Sequence, residues 1–135
     1  MFKPASGKWE MRKMPRKTNT AYTVGMMIYN DNTDNVFTTT TTQCNIKGIV
    51  QETYASEAST EDIYVLCPCE VSCTFFATGG SGTLTKAMEG DQFDFASGGL
   101  TIAQATSTYD PVELVKFISA TEGEFKFNYT FGVED

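Results

Sequence analysis

Glu124-Phe125-Lys126-Phe127-Asn128-Tyr129-Thr130-Phe131 decides the fold class. Phe125, Phe127, Tyr129 and Phe131 alternate with Lys126, Asn128 and Thr130, a period of two that sets the rings on one face of a strand and the polar groups on the other. Such a strand lies on a core or an interface. Working outward, the chain keeps the same punctuation of short β-rich runs between turn clusters. Val112 to Ile118, Leu100 to Ala103, Gln92 to Phe95, Leu84 to Lys86, Val71 to Ala77, Ile63 to Leu66 and Ile46 to Glu52 read as strands. Gly79-Gly80-Ser81-Gly82 and Ser97-Gly98-Gly99 read as turns. The tract Thr38 to Thr42 continues from Val36 and Phe37 as extended backbone, because β-branched side chains crowd a helix and sit freely on a pleat. Tyr22 to Tyr29, a turn at Asn30 to Asn35, and Val36 to Thr42 then make a hairpin. Ser56 to Asp62 fits a short helix or a loop equally. About ten short strands in one chain imply an all-β barrel or sandwich.

The size agrees. A chain of 135 residues makes one domain able to bury about two thirds of its unfolded surface. At 41% hydrophobic and 20% charged it reads as a soluble globular protein. No stretch approaches the roughly 18 apolar residues of a membrane helix, and residues 1–20 hold no signal-like apolar core, so a cytoplasmic origin is expected. The net charge of −7 divides unevenly: Lys3, Lys8, Arg12, Lys13, Arg16 and Lys17 against Glu10 make residues 1–20 basic by +5, which leaves −12 for the rest. The expected organisation is a basic N-terminal arm, residues 1–19, on an acidic β-barrel body, residues 20–135. An acidic body repels nucleic acid and anionic lipid, so neither is expected as a partner. Phe2, Trp9, Met11 and Met14 lie among the cations. Cation mixed with large apolar side chain suits an anchoring arm, though a solvated tail carries similar charge runs.

Histidine is absent, which removes Ser-His-Asp and Cys-His catalysis and every His-containing zinc site. Cys44, Cys67, Cys69 and Cys73 do not have the C-x2-C spacing of a zinc knuckle. If Cys69 to Cys73 were one extended strand, their Cα atoms would stand about 13 Å apart, beyond the reach of a disulfide. Equal parity would place Cys67, Cys69, Val71 and Cys73 on one face, the cysteines as buried thiols, and a cytoplasmic origin favours the reduced state. Gly79 to Thr83 lacks the G-K-[ST] ending of a phosphate loop. The Asp31 and Asp34 region lacks the glycine and terminal glutamate of a calcium loop and reads as a polar turn. Asn128-Tyr129-Thr130 is a glycosylation sequon only in an exported chain. No catalytic constellation, metal site or cofactor is expected, and the chain reads as a non-enzyme. A hydrolase built on Cys67 or Cys69 is the remote alternative.

The run Thr20 to Tyr29, the turn, Val36-Phe37 with the Thr tract, and Ile46-Lys47-Gly48-Ile49-Val50 resemble the opening strands of tailed-bacteriophage capsid decoration proteins, also called cement or head-stabilisation proteins. Glu89 to Phe95 followed by Gly99 to Ala103 is similar to their "G-D-x-L-x-L … G-x-V" hairpin. Leu114 to Ile118 and Glu122 to Phe127 resemble their closing strands. The resemblance covers about Thr20 to Phe131, and the cysteines and the N-terminal segment depart from it. It implies a small β-barrel or β-tulip-like sandwich, a homo-oligomer with a trimer favoured, made in the host cytoplasm and bound on the capsid exterior of the virion. There it would cement neighbouring subunits of the major capsid protein. No catalytic residues carry over. Joined to the charge reading, it makes Phe2 and Trp9 the expected apolar anchors, with Lys8, Arg12, Lys13, Arg16 and Lys17 pairing with acidic capsid side chains. Removing residues 1–17 is then expected to leave a folded body that no longer binds. The alternative is a head-fibre or tail-associated receptor- or glycan-binding module using Tyr54, Tyr64 or Tyr109.

Overall fold

The computed structural model describes residues 1–30, 46–59, 61–78, 83–96, 98–103 and 111–128, and residues 37–39 as backbone. These fold as an all-β protein. Among the described residues eleven strands run in chain order: β1 (Phe2–Ser6), β2 (Trp9–Met14), β3 (Met27–Asn30), β4 (Phe37–Thr39), β5 (Ile46–Val50), β6 (Ile63–Pro68), β7 (Thr74–Thr78), β8 (Gln92–Phe95), β9 (Ile102–Ala103), β10 (Val112–Ser119) and β11 (Glu122–Phe127). They form a curled six-stranded sheet, in the order β1-β7-β11-β10-β8-β9, and a second sheet in the order β2-β6-β5-β3-β4.

The alternation in β11 is realised. Phe125 and Phe127 are buried, and Lys126 between them is exposed. Tyr129 and Phe131 lie outside the described residues, as do the Asp31 to Asn35 turn, Thr40 to Thr42, Cys44, the Gly79 to Gly82 turn and Tyr109. The two rings join Phe2, Phe75, Phe93, Phe95, Leu114 and Ile102 from the curled sheet, and Met27, Ile46 and Ile49 from the second sheet, in the main core. A smaller core covers the other face of the second sheet, where Ile28, Val50, Ile63, Val65 and Cys67 meet Tyr22 and Met26. Strand β3 therefore feeds both: Met27 faces one core and Ile28 the other, as a pleat requires.

The sheets are joined at a corner made by two strand pairs that cross together. Ladder β1–β7 in one sheet continues as ladder β2–β6 in the other. Gly7 turns between β1 and β2 with φ of +89°, and a Cβ there would stand 2.8 Å from the Cys73 Cα, so the bend needs glycine on both counts. Opposite it, the Cys69 N–H donates to the Lys8 carbonyl at 2.9 Å, and the Cys73 thiol donates to the same oxygen at 3.0 Å. The far side is closed by residues 25–27. The Phe2 N–H donates to the Gly25 carbonyl at 3.0 Å and the Met27 N–H to the Gly99 carbonyl at 2.7 Å, tying both margins of the curled sheet to the start of β3.

Several expectations are corrected. Residues 1–19 do not form a separate arm: Phe2–Ser6 and Trp9–Met14 are strands, one at the margin of each sheet. The reason is that β7 and β6 would otherwise show unpaired backbone, and this segment satisfies it. Cys69 to Cys73 is a turn and not a strand, so Cys69 is exposed while Cys67 and Cys73 are buried. Leu84 is a buried loop residue, followed by a 3-10 turn at Lys86–Met88. Of the two readings left open for Ser56 to Asp62, the described part takes the loop.

Candidate binding surface

The expected site residues separate into two groups. Phe2 is only 1% exposed and stands edge-on to the rings of Phe75 and Phe95, each at 5.5 Å. It is a core residue and cannot anchor a partner. Arg16 is 4% exposed. Its Nη2 donates to the carbonyls of Thr20 (2.9 Å) and Ala55 (2.6 Å), and its guanidinium lies over the rings of Tyr22 and Tyr54 at 5.6 and 5.7 Å. This cation clamps the covering segment of the smaller core and is withdrawn from any acidic partner. Trp9 is half-buried, its indole N–H donating to the Ser6 carbonyl at 3.0 Å and its ring 6.2 Å from Phe127.

Lys8, Arg12, Lys13 and Lys17 remain outside. Arg12 pairs with Glu10 two residues back on the same face, Nη2 to Oε1 2.9 Å, and this contact holds the Glu10 carboxyl below its usual range. Both groups are exposed, so the pair is worth little alone. On the opposite face Lys13 Nζ lies 5.4 Å from the ring centre of Tyr64, above an open groove that Glu61 and Asp62 also line. Met11, at 52% exposed, is on this face beside Leu66. The site that emerges is strand β2, exposed from Glu10 to Lys13 on both faces and flanked by Lys8 and Lys17.

Sequence reasoning set Met11 among these cations and named Tyr64 as a binding tyrosine, but it missed that Lys13 lies over the Tyr64 ring. That pairing comes from the β2–β6 register, which sets Lys13 opposite Tyr64 and Met11 opposite Leu66 and leaves no local mark in the sequence. Of the tyrosines considered for receptor binding, Tyr54 is half-buried and engaged within the fold: its hydroxyl accepts the Tyr64 N–H at 2.9 Å and its ring packs against Tyr22. Burial pushes the Cys67 thiol up to about 11, which keeps it protonated at neutral pH and unsuited to nucleophilic attack. No family model matches the chain, and no curated protein matches it either.

Proposed function

We propose that this chain is a structural virion protein that binds the outer surface of a tailed-phage capsid and holds neighbouring major-capsid subunits together, acting as a homo-oligomer. The observation that carries the reading is the basic strand β2 with its flanking lysines, exposed on both faces of an otherwise acidic protein. A protein that must coat a surface densely gains from a self-repelling body with one attractive margin. The similarity of Thr20 to Phe131 to decoration proteins supplies the kind of surface, and the curled sheet closed by residues 25–27 supplies the barrel-like body this role uses. In this reading Lys8, Lys13 and Lys17 meet acidic side chains of the shell while Met11 and Tyr64 give apolar contact. Exposed charge pairs contribute about 0–1 kcal/mol each, so they steer and orient more than they hold.

The test is co-sedimentation of the purified protein with empty tailed-phage capsids, counting bound copies per shell. Binding in hundreds of copies is the expected result, weakened in the Lys8→Glu/Lys17→Glu variant, whose substitutions lie outside the β2 ladder. A folded protein that ignores shells but adsorbs to host cells overturns the proposal in favour of a fibre or receptor-binding module.

A further inference from the structure

Strand β2 is a margin with a pattern of its own. The Lys8 carbonyl accepts from Cys69, and Trp9 stands opposite Pro68, which has no N–H to give. The even-numbered residues of β2 therefore turn their backbone groups toward β6, and Trp9, Met11 and Lys13 turn theirs to the outer edge. Among the described residues no strand pairs with that edge. An edge of this kind is a template for another strand.

We infer that β2 pairs antiparallel with β2 of a second copy, about a two-fold axis through Met11. A two-fold perpendicular to the sheet keeps every residue on its own face, so only registers that oppose even to even and odd to odd are allowed. Charge chooses among them. With Met11 opposite Met11 of the second copy, Glu10 faces Arg12 and Arg12 faces Glu10, giving an alternating four-charge cluster on one face. On the other face Trp9 faces Lys13, a cation against an aromatic face. Trp9, Met11 and Lys13 are also the residues whose N–H and C=O groups point outward, so the opposed pairs exchange their backbone bonds across the seam. The Glu10–Arg12 pairs then occupy the closer, non-hydrogen-bonded positions. Sliding by one step either way sets Glu10 against Glu10 or Arg12 against Arg12, and a parallel arrangement in register opposes every charge to itself, each of which is unfavourable. The segment is self-complementary in one register.

This goes beyond the proposed function and does not rest on capsid binding. It specifies a dimer, where the family resemblance implies a trimer. A seam of one short strand has a small footprint and belongs to the weak, concentration-dependent class. Sedimentation equilibrium of the full chain over a concentration series is therefore the measurement, with a species of twice 14.9 kDa expected. Arg12→Glu alone and Glu10→Arg alone each oppose like charges and are expected to weaken the dimer by about tenfold or more. The double variant Glu10→Arg/Arg12→Glu restores it. Met11→Pro removes an outward N–H that the β6 ladder does not use, so the expected product is a monomer with the wild-type circular dichroism melt. A monomer at every concentration, a trimer, or a dimer indifferent to Met11→Pro and to the charge swap overturns the inference.

Discussion

Cys67 and Cys69 stand two residues apart and live in different solvents. Cys67 lies in the smaller core and Cys69 in the turn that follows β6. Alkylation of the native protein at neutral pH, mapped by peptide mass, should mark Cys69 and spare Cys67 and Cys73 until denaturant is added; equal labelling of Cys67 would contradict its burial. The same burial sets a pH dependence. The unfolded thiol ionises near 9.0 and the folded one near 11, so the fold binds more protons between these values. Stability from this group is whole below pH 9.0 and falls as pH climbs toward 11, which urea titrations across that range would read as a declining midpoint. The composition showed that thiols were present and that histidine was not. Which thiol is wet depended on a turn at Cys69 to Ser72 that alternation alone could not reveal. Arg16 teaches the same lesson in reverse, since its charge suggested a surface and its partners are the Thr20 and Ala55 carbonyls.

Strands rich in apolar and β-branched side chains were legible in the chain. Gln92–Phe95 has the bounds its pattern implied, and Ile46–Val50 and Val112–Ser119 end within two residues of theirs. Strands β1 and β2 were not, because β2 is wet on both faces and its order comes from the β6 ladder, which no local period records. The cations that made it look like a tail suit a strand at a sheet margin, where charge discourages indiscriminate pairing. Glycine in β5 marks another hidden constraint. A Cβ on Gly48 would stand 2.3 Å from the Leu66 carbonyl oxygen in β6. Gly48→Val should therefore push β5 off β6 and cost about 3 kcal/mol, lowering the urea midpoint; an unchanged midpoint would mean that the two strands can separate freely.

At the scale of the whole molecule, residues 1–14 hold one margin of each sheet and place Phe2 in the main core. Their deletion should not leave a competent body. It strips Phe2 from its ring cluster, a loss of about 3–5 kcal/mol by itself, and exposes the outer backbone of both β6 and β7. Thermal unfolding followed by circular dichroism should lose its cooperative transition, whereas a melt matching the full chain would show that the two sheets stand without these strands. That truncation therefore cannot isolate binding from folding, and point changes at Lys8 and Lys17 are the cleaner instrument. The corner where β1–β7 becomes β2–β6 also sets a timetable. During synthesis Trp9 to Met14 leave the ribosome roughly 50 to 60 residues ahead of the segment from Ile63 to Pro68 that receives them. At about 5–20 residues per second, that is several seconds in which a basic, tryptophan-bearing strand has no place to dock. Of the two strands in that ladder the earlier-made one must wait, and its lysines and arginines keep it in water until β6 is there to receive it.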